Sequence, residues 1–222
     1  MTTLVLFDLD NTLLSGDSDF EWAQFLIAQG VLDREIYAAR NQEFYDAYRA
    51  GTLDIHAFLD FQLKPLAHHP RATLDAWHAQ FMRERVASMM SSRARALVAD
   101  WQAKGALCAI VTATNDFVTA PIARAFGIAH LVATRAQIVD GEYTGRAEGT
   151  PCFQHGKIER VEAWLASQHL GWTDFEHSYF YSDSQNDLPL LQRVTHPVAV
   201  DPDPVLRETA QARGWPIISL RD

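Results

Sequence analysis

The chain has 222 residues, of which 48% are hydrophobic and 21% charged, so collagen-like, coiled-coil and disordered organisations are excluded and a sizeable core can be buried. At roughly 150 residues per domain, the length corresponds to about one and a half domains. With 19 basic against 28 acidic side chains the formal charge is -9, which argues against nucleic acid or a membrane surface as partner and for a small molecule. Met1-Thr2-Thr3 leads straight into an apolar run without a basic n-region, so no signal peptide is expected. Cys108 and Cys152 are the two cysteines and form no Cys-x-x-Cys pair, which fits a cytoplasmic protein without a disulfide framework or thiolate zinc site. The longest apolar stretch, residues 106–111, is far too short to span a bilayer.

In chain order, Leu4-Val5-Leu6-Phe7 is the pattern of a strand buried on both faces, and it ends at Asp8 because a carboxylate does not sit in such an interior. From about residue 17 to 85 the periodicity is helical only. Tyr37, Phe44 and Tyr48 share one helical face, Gly51 stops that helix, and residues 54–66 restart the pattern, giving four expected helices and no strand. From Ser91 the pattern alternates. A helix opening at Ser91 or Ser92 closes at Gly105, a buried strand over 106–111 ends at Thr112, and Pro121 opens a helix that Gly127 ends. Leu131 and Val132 predict a short strand, and residues 138–143 a β-hairpin around Asp140-Gly141. A helix over about 157–170 is stopped by Gly171, and a strand over 178–181 meets Ser182-Asp183. Residues 198–200 form another strand, Asp203-Pro204 caps a helix ended by Gly214, and Ile217-Ile218 is a last edge strand.

Strands alternating with helices imply an α/β fold with a doubly wound, Rossmann-like parallel sheet, whose ligands bind at the carboxyl ends of the strands. The expected core comprises residues 1–15 and 88–222, with a small β-hairpin, and residues 16–87 form an inserted four-helix cap. The insertion follows directly after a strand end, so it is expected over the ligand edge as a lid.

Three strand ends carry polar groups: Asp8 with Asp10 and Thr12, then Thr112, then Asp183 with Asp187. Carboxylates converging without a pairing cation repel unless a metal holds them, and oxygen ligands of this hardness suit Mg²⁺, which in turn implies phosphate. Lys157, following a glycine at a helix start, supplies a positive charge for phosphate oxygens. Each feature has a plainer reading when taken alone. The first acids read as a solvated turn or, without the required glycine, a poor calcium loop. Thr112 reads as a strand-end hydroxyl, Lys157 as a surface lysine and Asp183 with Asp187 as a helix cap. Gly156-Lys157 fails as a P-loop, because Pro151 and Ile158 occupy its glycine and hydroxyl positions. His68, His69, His155 and His177 lack partners at metal spacing, Cys108 reads as a buried hydrophobe, and Cys152 as a weak candidate for oxidation.

Together, however, Asp8-Leu9-Asp10-Asn11-Thr12 resembles the nucleophile motif Asp-x-Asp-x-Thr of the haloacid dehalogenase superfamily. Thr112 in Ile110-Val111-Thr112-Ala113-Thr114-Asn115 resembles its Ser/Thr motif, Gly156-Lys157 its lysine motif, and Ser182-Asp183-Ser184-Gln185-Asn186-Asp187 its acidic motif, with Ser182 where many relatives carry Gly. The placement of the helical insertion is similar to the subgroup that includes phosphoserine phosphatase. The resemblance implies Asp8 as nucleophile, forming an aspartyl phosphate, and Asp10 as general acid and base. It implies Mg²⁺ held by Asp8, Asp183 and the backbone carbonyl of Asp10. Thr12, Thr112, Ala113 and Lys157 are implied at the phosphoryl group, Asp17 at a substrate amine, and Asp187 with Asn186 behind them. Arg34, Arg40, Arg49, Arg71, Arg83 and Arg85 are candidates for a substrate carboxylate. Of the cap aromatics Trp22, Tyr37, Phe44, Tyr48, Phe58 and Trp77, most are expected in helix packing and one or two in the pocket.

The expected function is a Mg²⁺-dependent phosphomonoesterase for a small soluble metabolite, with phosphoserine or histidinol phosphate as specific candidates. A mutase or other phosphotransferase would use the same residues. A dehalogenase attacks carbon and has no need of Asp10, and a phosphate-binding protein without turnover has no need of the full catalytic set.

Overall fold

A computed structural model describes residues 2–222. Seven strands form one sheet: β1 (Thr2–Phe7), β2 (Leu107–Asn115), β3 (His130–Val139), β4 (Glu142–Glu148), β5 (Phe175–Ser182), β6 (His196–Val200) and β7 (Ile217–Ile218). Their spatial order is β4-β3-β2-β1-β5-β6-β7, parallel throughout except for the antiparallel pair β3 and β4. β1 lies at the centre, with Leu6 opposite Ala109 of β2 on one side and Phe180 of β5 on the other. The chain winds outward from β1 in one direction through β4, then restarts at β5 in the other. This reversal puts the crevice of a doubly wound fold at the carboxyl end of β1.

The period of two in the strands divides the core between two faces. Val5 and Phe7 of β1 join Cys108 and Ile110 of β2 on the face covered by α6 (Ser92–Ala103) and α7 (Asp116–Ala125). Leu4 and Leu6 join Ala109, Val111 and Phe180 on the other, under α8 (His155–Ser167), α9 (Leu188–Leu191) and α10 (Pro204–Arg213). Every side chain of residues 4–7 is fully buried, which is why β1 carries no polar residue before Asp8.

Between β1 and α6 the elements are helical: α1 (Ser18–Ala28), α2 (Arg34–Ala50), α3 (Ile55–Leu63), α4 (Arg71–Phe81) and, after a wider turn, α5 (Ala87–Met89). Asp17, Asp33 and Asp54 start the first three by accepting backbone N–H groups of the opening turn. Gly51 ends α2 at φ 72°, a left-handed conformation that glycine adopts without penalty. The insertion hangs on a neck in which Leu14 bridges Met90 antiparallel and Ser15 N donates to Met89 O at 2.8 Å. Its aromatic centre of Trp22, Phe25 and Phe81 is continuous with the β1 and β2 face, so the insertion shares a core with the sheet. Among the described residues no helix is long and apolar enough to cross a membrane.

Several boundaries differ from expectation. β2 runs past Thr112 to Asn115, whose side chain caps α7, so Pro121 lies inside that helix instead of opening it. The expected short strand at Leu131 and Val132 is the start of the long β3, which pairs with β2 first and then turns through Asp140-Gly141 into β4. α8 begins earlier, at His155, and ends at Ser167 before Gly171.

Candidate functional site

Asp8 follows the last residue of β1, and its N–H donates to the Tyr181 carbonyl at 2.9 Å, which holds it in line with the sheet. The next residues form a wide turn with Asn11 at φ 57°, a left-handed conformation that asparagine tolerates better than most side chains. Arg221, next to the C-terminus, donates to the carbonyls of Asn11, Thr12 and Leu14 and fixes this turn from outside. Thr12 Oγ1 donates to Asp183 Oδ1 at 3.0 Å and accepts from Asp183 N, also at 3.0 Å. The fully buried Thr12 therefore aligns Asp183 and is turned away from the cavity.

Lys157 is the deepest charge. Its Nζ lies 2.8 Å from Asp8 Oδ1 and 2.7 and 2.8 Å from the two oxygens of Asp187, with the lysine side chain 1% exposed. Gly156 makes this burial possible, because a Cβ there would collide with the Pro151 carbonyl oxygen, so only glycine lets α8 start against that strand of backbone. Burial works to lower the Lys157 pKa, but the carboxylates of Asp187 and Asp8 outweigh it and hold the ammonium charged. Ser182 Oγ donates to Asp187 Oδ2 at 2.7 Å and adds a further support.

One lysine facing two carboxylates leaves the acids under-compensated. Burial, opposed by Lys157 and reinforced by Asp187 and Asp10, raises the Asp8 carboxyl to about 7. Asp183 is pushed well above the usual range by burial and by Asp8 and Asp187. Asp8 Oδ2 is buried without a hydrogen-bond partner. A divalent cation between Asp8 and Asp183 would satisfy that oxygen and neutralise the excess negative charge, so the donor set fits Mg²⁺. Among the described residues no three His, Cys, Asp or Glu side chains cluster as a metal cage.

Asp10 sits in a different environment. Its Oδ1 accepts from Ser18 N at 2.6 Å, and its Oδ2 from Thr114 Oγ1 at 2.8 Å. Burial first, then the negative charge of Asp17, raises its carboxyl to about 7 against these hydrogen bonds, a value suited to giving and taking protons near neutrality. Thr112 and Thr114 come from the same strand face, and Thr112 Oγ1 accepts from Thr114 N at 3.2 Å.

Asp8, Asp10, Thr112 and Thr114 border a partly enclosed cavity. Asp8, Asp10, Thr112 and Ala113 form its floor, and Asp17 and Asp19 one wall. The roof is apolar and comes from the helical insertion, with Phe20, Phe44, Tyr45, Tyr48 and Phe58. Trp22, Tyr37 and Trp77 pack elsewhere in the helices. Among the described residues no arginine or lysine lines this cavity; of the six candidate arginines, Arg49 faces a neighbouring groove and the rest point away. Asn186 ties roof to floor by donating from Nδ2 to the Tyr48 carbonyl at 2.9 Å. Cys152 is fully buried and its thiol is pushed up to about 12, so the expected sensitivity to oxidation does not hold.

Asp19 and Arg221 carry no signal in the sequence that separates them from ordinary residues, and the bonds of Ser182 and Thr114 emerge only in the structure. Thr114 is within reach of the sequence, since it stands two residues beyond Thr112 and so shares its strand face.

A sequence model of haloacid dehalogenase-like hydrolases matches residues 5–192. A protein of Neisseria meningitidis serogroup C (strain 8013) named histidinol-phosphatase is 42% identical over 222 residues, covering 100% of both chains. A probable phosphatase of Mycobacterium tuberculosis is 32% identical over 227 residues, covering 98% of this chain and 75% of its own. The crystal structure of a protein of unknown function from Bordetella pertussis Tohama I superimposes with a TM-score of 0.94 at 50% identity, covering 100% of both chains. A substrate-bound phosphoserine phosphatase superimposes with a TM-score of 0.70 at 20% identity, covering 100% of this chain and 94% of its own, which is a likeness of fold.

Proposed function

Because the chain belongs to the haloacid dehalogenase-like hydrolases, we propose that it is a Mg²⁺-dependent phosphomonoesterase that works through an aspartyl phosphate on Asp8. The observation that carries this reading is the state of Asp8: one oxygen is held by Lys157 and the other is buried without a partner at the cavity floor. A carboxylate so fixed is oriented to attack phosphorus.

Asp8 Oδ attacks the phosphoryl group, and Asp10 delivers its proton to the leaving alkoxide. Asp10 then takes a proton from water as that water attacks the acyl phosphate, which restores both carboxyl groups and frees phosphate. Thr112 and Lys157 hold the phosphoryl oxygens, Asp187 keeps Lys157 in place, and Thr12 keeps Asp183 aligned. Asp8, Asp183 and the Asp10 carbonyl would hold Mg²⁺, which supplies charge stabilisation for the transferring phosphoryl group. The helical insertion, residues 16–87, serves as the cap that encloses the leaving group, and its apolar roof excludes water that would compete at the first step.

As substrate we put forward histidinol phosphate, on the name of the Neisseria relative. The aromatic roof and acidic wall support it over phosphoserine, whose carboxylate would meet no cationic side chain in this cavity. Phosphate release from histidinol phosphate, phosphoserine and a panel of other esters with Mg²⁺ present tests the reading. Histidinol phosphate is expected to be turned over with the highest kcat/KM, with water as acceptor and no phosphorylated second product. Inertness toward every ester would overturn it, and a new phosphorylated product would make the chain a phosphotransferase.

A further inference from the structure

Asp10 is held by two donors of different kinds. Its Oδ1 accepts from the Ser18 amide at 2.6 Å and its Oδ2 from the Thr114 hydroxyl at 2.8 Å. A backbone amide only donates, whereas a hydroxyl both donates and accepts. Oδ1 therefore keeps a lone pair toward Ser18 in either protonation state, and the proton of the acid form belongs on Oδ2. Thr114 suits both states: its hydroxyl donates to the carboxylate and, turned about its C–O bond, accepts from the carboxylic acid.

The local backbone aims Thr114 at Asp10. The ladder between β2 and β3 pairs Thr112 with Ala133 and then Asn115 with Thr134, so Ala113 and Thr114 stand outside it, and the pairing of β2 with β1 ends at Ile110. Thr114 N donates to Thr112 Oγ1 at 3.2 Å in place of a strand partner. An interruption of this kind re-aims a side chain, and the buried Thr114 lines the cavity beside Asp10.

We propose that Thr114 is the positioning residue of the general acid: it holds Asp10 in both protonation states and places the transferable proton on Oδ2. This rests on the phosphomonoesterase reading above. As the bond from phosphorus to the leaving oxygen breaks, the proton passes from Oδ2 to that oxygen and the alcohol departs, while the Thr114 hydroxyl turns to donate to the carboxylate that forms. A hydrogen bond to a charged acceptor is stronger than one to a neutral acceptor, so this bond strengthens as the proton leaves and favours the transition state of esters whose alcohol must be protonated. When water attacks the acyl phosphate, its proton returns to Oδ2. Thr114 touches Asp10 and not the reacting phosphorus.

The test compares the best alkyl ester of the substrate panel, expected to be histidinol phosphate, with p-nitrophenyl phosphate, whose phenolate leaves without a proton, on wild type, Thr114→Val and Thr114→Ser with Mg²⁺ present. The readout is kcat/KM, which covers the steps up to release of the alcohol and not hydrolysis of the phosphoenzyme. Thr114→Val is expected to lose at least about tenfold on the alkyl ester, the worth of one hydrogen bond to a charged group, and less than about threefold on p-nitrophenyl phosphate. Thr114→Ser keeps the hydroxyl and is expected to stay near wild type on both. A valine variant inert toward both esters is replaced by Thr114→Ala, for which the same losses are expected. Equal losses on the two esters in the active variant, no loss on the alkyl ester, or a serine variant as impaired as valine would overturn the role of Thr114. Failure of wild type to hydrolyse any ester would instead overturn the phosphomonoesterase reading, so the two failures are distinct.

Discussion

Lys157 Nζ lies 2.8 Å from Asp8 Oδ1 with both side chains nearly excluded from solvent, so a buried ammonium is already in contact with the proposed nucleophile. Lys157→Met leaves Asp8 and Asp187 as buried carboxylates without their cation. Removal of one partner from such a pair is expected to lower stability by about 3–5 kcal/mol and activity by at least about 100-fold. Urea denaturation and phosphatase assays check this, and Lys157→Arg is expected to fail as a rescue because the larger planar guanidinium does not fit the buried position.

Gly156 sets the depth of that lysine. Gly156→Ala places a Cβ against the Pro151 carbonyl and is expected to cost about 1–3 kcal/mol while shifting Lys157 away from Asp8. Both Tm and kcat should fall. A variant with wild-type kcat would show that the start of α8 tolerates displacement.

Arg221 is separated from the nucleophile turn by almost the whole chain, yet its guanidinium holds the carbonyls of Asn11, Thr12 and Leu14. Arg221→Ala is expected to lower kcat by about tenfold or more and to raise the Mg²⁺ concentration needed for half-maximal activity, because the turn carrying the Asp10 carbonyl loses its outer support. Titration of activity with Mg²⁺ measures both. No change in either would show that the turn keeps its shape unaided.

His78 gives a pH dependence of stability that is separate from catalysis. It is 4% exposed, stacks against Trp22, and its Nε2 lies 2.8 Å from the Val118 carbonyl. Burial lowers its pKa below 6.5, against the opposing effects of the Val118 carbonyl and Asp75. Above pH 6.5 the ring is neutral in folded and unfolded chains alike and contributes no pH dependence. As pH falls below 6.5 the unfolded chain takes up a proton that the folded chain refuses, so stability declines by up to about 1.4 kcal/mol per pH unit until the folded pKa is passed. Denaturation at pH 7.5, 6.5 and 5.5 should show a smaller decline for His78→Gln than for wild type.

The placement of the core acids, Thr112 and Lys157 was legible because apolar runs end where polar side chains must leave the interior, and parallel strands bring those ends to one edge. Asp8, Asp10, Thr112, Lys157, Asp183 and Asp187 all meet there. What stayed hidden has physical reasons. Asp17 and Asp19 are equally ordinary acids at a helix start, and only three-dimensional packing makes one a cap and leaves the other bare. Proline favours the first turn of a helix, so Pro121 masks the cap that Asn115 provides six residues earlier at the end of β2. β3 passes from a buried parallel pairing to an exposed hairpin, and no single periodicity spans both environments. The bonds of Arg221 connect opposite ends of the chain, where local pattern is silent.

The central claim is that Asp8 carries the phosphoryl group. Hydrolysis of p-nitrophenyl phosphate by wild type and Asp8→Asn, each with Mg²⁺ and after its chelation, tests it most directly. Wild type should turn over only with Mg²⁺, and Asp8→Asn should lose at least about 1000-fold in kcat under the same conditions, the scale of removing a nucleophile. Turnover by Asp8→Asn at a rate near wild type would contradict the account.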